Sequence, residues 1–157
     1  MTKKGKPKQK TRDSITLAEG HVERARQELL SAEQDLNNYH HAKSVHSSQV
    51  CIELSMKAIY RYFGEAFTPS HELKVDEFVR VLDQIPEDLK YHKYSRLFIL
   101  ANFWTEFYTI SKYGHEKIGI SSEQIFEKDE AELALKHANA CYHAANAIRI
   151  WLITKGT

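Results

Sequence analysis

Apolar residues recur every three or four positions over long stretches of this chain, and that period predicts amphipathic α-helices. The first stretch runs from Ser14 to about Leu36. The second runs from about Tyr39 to Phe63, and Gly64 directly after it is a typical helix stop. The first half of the chain is therefore predicted to be a pair of long helices joined by a short connection.

The second half continues the same helical period. A shorter third helix is predicted to begin with Pro69 in its first turn, where the missing proline N–H is tolerated, and to end near Gln84. A fourth helix is predicted from about Tyr91 to Lys112, and the last helix from Glu130 to the C-terminus. No alternating strand pattern appears. The predicted fold is all-α, an antiparallel up-and-down bundle of four long helices plus one short helix.

Length and composition agree with one globular domain. The chain has 157 residues, of which 42% are hydrophobic and 27% charged, and it contains only 6 glycines and 3 prolines. We expect residues 13–157 to form this domain. No stretch approaches the ~18 apolar residues of a membrane span, and the N-terminus lacks a secretory signal, so we expect a cytoplasmic protein without membrane contact.

Positive charge is concentrated at the N-terminus. Six of the 22 basic residues precede the first acidic residue, Asp13, so residues 13–157 carry about five more acidic than basic side chains. Residues 1–12 have nothing to bury, and we expect them to form a disordered basic tail. A domain that holds phosphate backbones usually concentrates positive charge on its folded surface, whereas here only the tail is basic.

Cysteine and histidine spacing does not predict a metal or disulfide framework. Cys51 and Cys141 are expected to be small core residues, with a bridge between their helices as the lesser alternative. The only helical four-residue pair of suitable ligands is His137 with Cys141, and a zinc site needs at least three protein ligands. We expect no metal and no cofactor.

The predicted second helix carries a polar stripe with four-residue spacing. Gln49, Glu53 and Lys57 lie one turn apart, and Ala58 follows directly. This pattern resembles the Gln-x3-Glu-x3-Lys-Ala signature of HEPN domains (higher eukaryotes and prokaryotes nucleotide-binding).

Three further segments follow in the order that the HEPN family shows. They are His71-Glu72-Leu73 after a short loop, Lys112-Tyr113 where the family often has Arg-Tyr, and Glu130-Ala131 at the start of an alanine-rich last helix. The resemblance covers about residues 15–153. It implies a helical module that dimerises through bundle helices and binds a nucleotide, RNA or a protein partner, the partner being a separately encoded minimal nucleotidyltransferase.

The ligand site that this resemblance implies is a polar groove. We expect Gln49, Glu53, Lys57 and His71 to line it, with Lys57 as a point charge for phosphate and His71 as a hydrogen-bond donor. The leading functional prediction is therefore a binding module that lacks catalysis.

A metal-independent ribonuclease toxin is the first alternative. Some HEPN proteins carry such activity on an Arg followed, after roughly four to six residues, by a His, because a His moves protons while Arg steadies the charge on phosphorus. None of the arginines from Arg12 to Arg149 has a His in that window. The remaining catalytic candidates are Lys112, Tyr113 and His115, although capping of the carbonyls at a helix end is the favoured interpretation of these residues.

A purely structural scaffold is the second alternative. Glu and Lys four residues apart form a common helix-surface pair, so Glu53 and Lys57 would then simply pair within the bundle.

Overall fold

The computed structural model describes residues 7–70 and 72–155, with side chains from Arg12 onward. The described part is almost entirely helical, and its only strand-like feature is a single bridge between His115 and Ile120. The predicted all-α class is confirmed.

The first two helices form an antiparallel pair. Helix α1 spans Pro7–Asn37 and α2 spans His41–Tyr62, so only a short turn joins them. The hydroxyl of Ser14 donates to the Arg61 carbonyl (2.6 Å), and that of Ser44 donates to the Ala32 carbonyl (2.7 Å). Because the start of α1 meets the end of α2 and the end of α1 meets the start of α2, the two helices run in opposite directions along their whole length.

The last helix, Lys128–Lys155, completes the core and is labelled α7. Arg149 near its end pairs with Glu19 near the start of α1, which makes these two helices antiparallel as well. Alanines without exposed surface occur on α1, α2 and α7, and small residues let helix backbones approach closely. These fully buried alanines are Ala18, Ala25, Ala32, Ala58, Ala131, Ala134, Ala138, Ala144 and Ala145.

Helix α4, Tyr94–Thr105, packs against α7 in the opposite direction. The Tyr94 hydroxyl donates to the Ala144 carbonyl (2.9 Å), and the Trp104 indole donates to Nδ1 of His137 (3.0 Å). The four main helices therefore alternate in direction, as the up-and-down prediction requires. A short helix α3, Val75–Leu82, and a 3₁₀ turn, Glu87–His92, lead into α4.

The predicted fourth helix is wrong as a continuous element. Its chain forms α4, a break at Glu106 and Phe107, and a separate helix α5, Tyr108–Tyr113. The Trp104 carbonyl would accept the Tyr108 amide in an unbroken helix, but it accepts from Nε2 of Gln49 (2.9 Å) and from the Phe107 amide (3.0 Å). A side chain from α2 thus bonds to the backbone where the helix breaks.

A turn and a short helix α6, Ser122–Ile125, connect α5 to α7. Gly114 ends α5 with a φ of 71°, and a Cβ there would lie 2.4 Å from the Ile120 carbonyl oxygen. Only glycine fits this close approach of two backbone segments. Ser121 and Gln124 then form a reciprocal capping box that starts α6.

Other boundaries also differ from the prediction. Helix α3 begins at Val75, so Pro69 lies in the preceding loop and not in a first helical turn. Helix α1 begins at Pro7, inside the segment predicted as a disordered tail. Residues 1–6 lie outside the described residues, and their disorder stays a prediction.

Candidate functional site

A groove of about 510 Å³ runs between α2 and the α4–α5 segment. Arg24 of α1 stands at one side of it, and the loop containing Phe67 and Pro69 stands at another. The groove is therefore assembled from parts of the chain that are far apart in sequence. Gln49, Glu53 and Lys57 of α2 line it, and their part in binding a ligand stays a prediction.

The floor of the groove is apolar. Leu54, Ala101 and Trp104 are all buried there, and Phe67 is nearly buried with its ring edge-on to Tyr60, the ring centroids 5.2 Å apart. Tyr108 adds an aromatic ring that is 40% exposed. An apolar floor with a few polar groups above it is the usual composition of a small-ligand site.

Charged groups form the rim. Lys57 Nζ lies 2.6 Å from Glu53 Oε1, and each of these side chains is 32% exposed. They form an ion pair at the groove wall. The scaffold alternative expects such a pair within the bundle, but this pair is partly exposed. Arg24 is exposed and forms no ion pair with a described residue, so its guanidinium is available to an anion.

His21 on α1 reports the electrostatic character of this region. Burial lowers the pKa of its imidazole below the ordinary 6.5, and the positive charges of Lys57, Arg24 and Arg61 lower that pKa further. Glu53 acts in the opposite sense and is the smallest of these influences. The cations therefore outweigh Glu53 at His21, while Glu106 adds a second carboxylate to the lining of the groove.

Gln49 lies in the wall, but its amide is engaged within the protein. It is 5% exposed; Nε2 donates to the Trp104 carbonyl, and Oε1 accepts from the Ser111 hydroxyl (2.7 Å). These bonds tie α2 to the end of α4 and to α5. Its predicted role in ligand contact stays a prediction, and its internal bonds give it a structural role that the sequence did not indicate.

His71 lies outside the described residues, and its expected place at the groove also stays a prediction. Pro69, two residues before it, lines the groove.

The catalytic candidates Lys112, Tyr113 and His115 lie away from this groove. Lys112 lines a second cavity of about 330 Å³, together with His46. Its Nζ lies 5.2 Å from the centroid of the Tyr113 ring, and hydrogen bonding to Tyr113 raises the pKa of Lys112. Tyr113 is 65% exposed, and His115, which is also exposed, does not line this second cavity. The histidine that accompanies Lys112 there is His46.

No group of three or more His, Cys, Asp or Glu side chains suited to a metal occurs in the described part of the chain. His137, which has metal-ligand spacing to Cys141, accepts a hydrogen bond from the Trp104 indole on its Nδ1. Cys51 and Cys141 are both buried free thiols whose pKa burial raises. Among the described helices, none is both long and apolar enough to cross a membrane.

Sequence reasoning missed Arg24 and the place of Trp104 and Tyr108 in the groove. Arg24 is one of several charged residues on the solvent side of α1, and no spacing rule distinguishes it from Glu23 or Arg26. Trp104 is 4% exposed and Tyr108 is 40% exposed, although both lie in the segment predicted as one continuous helix. The break after Trp104, which separates Tyr108 from α4, was not predicted from the sequence.

Comparison with known proteins gives two findings. A model of the HEPN domain matches residues 18–148. The chain is also similar in fold to the crystal structure of the protein TT1696 from Thermus thermophilus, with 19% sequence identity, 83% of this chain and 97% of that chain covered, and a TM-score of 0.58. No match was found among curated proteins.

Proposed function

Because the chain belongs to the HEPN domain family, we propose that it is a binding module without catalysis of its own, which holds the phosphate of a nucleotide or of RNA in the groove. The observation that carries this proposal is the pair of cations, Arg24 and Lys57, at the rim of an apolar, aromatic floor. Phosphate would lie between the cations, and a base would lie over Trp104 and Tyr108.

Two features shape how an anion would bind. Arg24 presents a planar fork that can hold two phosphate oxygens and forms no ion pair with a described residue. Lys57 already pairs with Glu53, and competition from that carboxylate reduces the affinity that Lys57 gives to a phosphate. Arg24 should therefore contribute at least as much affinity as Lys57, although only Lys57 belongs to the family signature.

The groove is tested by titrating ATP and a short RNA into the protein by calorimetry. Arg24→Ala and Lys57→Ala should each weaken binding by about tenfold or more, the usual effect of losing a charged hydrogen bond. His71→Ala should also weaken it. Lys136→Ala, which removes an exposed cation from α7, serves as the control. The proposal is wrong if neither ligand binds, or if the groove variants bind as tightly as the control.

We further propose that the module is a homodimer. The buried alanines of α7 lie inside the bundle, so they are not available to an interface between two copies. The available apolar surface lies elsewhere on the neighbouring helices α4 and α7. Ile99 is 50%, Phe103 49% and Leu133 44% exposed. A second copy that covers these side chains is the occupant we propose.

Sedimentation distinguishes this arrangement from a monomer. The protein should sediment as a dimer at micromolar concentration, and Phe103→Glu should shift it toward the monomer because a buried unpaired carboxylate is costly. Ile118→Glu, at a site that is 73% exposed on another part of the surface, should leave the dimer intact. A monomeric wild-type protein would contradict the proposal.

A separately encoded minimal nucleotidyltransferase is the protein partner that we propose, on the strength of the family.

The scaffold alternative is supported by the Glu53–Lys57 ion pair. If Glu53→Leu combined with Lys57→Leu changes neither ligand binding nor dimerisation, the pair serves structure alone, and the scaffold hypothesis is favoured.

A further inference from the structure

The second cavity, beside Lys112, is a polar pocket lined by lysines, carboxylates and hydroxyl groups, and the proposed groove does not include it. Lys43, His46 and Ser111 line it with Lys112. Neither lysine forms an ion pair with a described residue, and the Lys112 ammonium lies over the ring of Tyr113. Two acidic side chains, Asp35 and Glu123, also line the pocket. Asp35 is already close to His40, with 3.6 Å between its Oδ1 and Nδ1 of that imidazole.

The two cavities are arranged in line along one face of α2. Successive turns of this helix contribute Lys43, His46, Val50, Glu53 and Lys57, the first two to the second cavity and the others to the groove. Residues three or four apart share a helix face, so this series is one continuous stripe. Cations stand at both of its ends.

Residues that line the two cavities are in contact with each other. Tyr108 lines the groove, and its ring centroid lies 5.1 Å from that of His46, which lines the second cavity. Ser111 of the second cavity donates to Oε1 of Gln49 in the groove wall, with its Oγ 3.4 Å from Nδ1 of His46. The two cavities are therefore neighbours, joined by a ring contact and a hydrogen bond.

We propose that the second cavity is a second phosphate-binding subsite, formed by Lys43 and Lys112, and that it and the groove together form one track for single-stranded nucleic acid. This inference rests on the proposed function, because it takes the groove as the first subsite. It selects a strand of several nucleotides over a mononucleotide as the ligand.

The length of the track supports this choice. At 1.5 Å of rise per residue, Lys43 and Lys57 are separated by about 21 Å along the axis of α2. A mononucleotide cannot reach both ends, whereas a short strand can, and known single-strand sites begin at about 4 nucleotides. Tyr108, 40% exposed midway along the track, offers a ring on which a base can stack whatever its sequence.

The test compares ATP with oligouridylates of one, four and eight nucleotides, using RNA and DNA strands in parallel arms. Affinity should rise with length up to the octanucleotide in at least one arm. The double variant Lys43→Ala/Lys112→Ala should weaken octanucleotide binding by about tenfold or more and leave ATP binding unchanged. For this variant, the plot of log affinity against log salt concentration should be shallower by about 1.4 than for the wild-type protein. Each lost phosphate contact reduces that slope by about 0.7. Lys136→Ala/Lys155→Ala is the matched control.

The outcomes separate this inference from the proposed function. If ATP binds at Arg24 and Lys57 but affinity does not rise with strand length, the second subsite is wrong and the groove stands. The same conclusion follows if the Lys43→Ala/Lys112→Ala variant binds the octanucleotide normally, or if a polyglutamate peptide binds as tightly as the strands. If neither ATP nor any strand binds, the groove itself is wrong.

Discussion

At the scale of single residues, Gln49 shows how one side chain serves the family signature and the fold together. It lies on the polar stripe that the sequence assigns to a ligand, yet it is 5% exposed and bonds to two other parts of the chain. A buried amide is stabilising only while its partners are kept, because an unpaired buried carbonyl or hydroxyl costs free energy. Part of the signature therefore maintains the groove wall.

Removing this amide should destabilise the protein. Gln49→Ala leaves the Trp104 carbonyl without its side-chain donor and should lower the free energy of unfolding by about 1 to 3 kcal/mol. Urea denaturation measures the difference. Gln84→Ala is the matched control, because Gln84 also donates to a backbone carbonyl, that of Arg80, but does so at an exposed site. A similar loss for both variants would contradict the role assigned to Gln49.

At the scale of elements, the segment between α4 and α7 departs most from a simple helix. Tyr108 follows the break after Trp104 and lines the groove. The turn at Gly114 reverses the chain so that α6 packs against α5. The carboxyl end of α5 and the start of α6 together complete the second cavity. Local backbone geometry here decides where Lys112 lies.

Two glycine substitutions test this geometry in opposite directions. Gly114→Ala forces a side chain into a positive φ and against the Ile120 carbonyl, so unfolding should become easier by about 1 to 3 kcal/mol or more. Gly20→Ala, within α1 and with no atom within 4 Å of the new Cβ, should stabilise the protein by about 0.5 to 1 kcal/mol. Thermal denaturation of both variants measures whether stability falls for Gly114→Ala and rises for Gly20→Ala. A Gly114→Ala protein with unchanged stability would contradict the turn as described.

At the scale of the whole molecule, the bundle lowers the pKa of one buried and three half-buried imidazoles. Burial is the largest cause that lowers the pKa in each of these histidines. They are His21, His46, His92 and His137. The folded state therefore resists protonation at four places spread over the helices.

Acid should consequently weaken the fold. The unfolded chain binds protons at these imidazoles near the ordinary pKa of 6.5, whereas the folded chain binds them only at lower pH. Between those values the unfolded state carries more protons, so the free energy of unfolding falls as pH falls through 6.5. The urea midpoint should be lower at pH 5.5 than at pH 7.5. His137→Gln should reduce the difference between the two urea midpoints. His115→Gln, at an exposed site, should leave it unchanged. Equal midpoints at the two pH values would contradict the prediction.

Local patterns in the sequence were sufficient for the class and order of the main helices. Long helices that alternate in direction are predicted by the apolar period, the Gly64 stop and the short connections. Each of these signals acts within a few residues, so it can be recognised in the sequence. The family signature on α2 is equally local. The starts of α1 and α3 were misplaced, because no sharp capping signal marks either one.

The sequence by itself thus determined an all-α bundle of the HEPN family and the stripe of α2 on which its candidate site lies. Only the tertiary structure decided that Arg24 stands across the groove from Lys57, that Gln49 bonds where α4 ends, and that His46, not His115, accompanies Lys112. The reason is physical: a helix period records which residues share a face. Which faces meet depends on packing between segments that are distant in the chain.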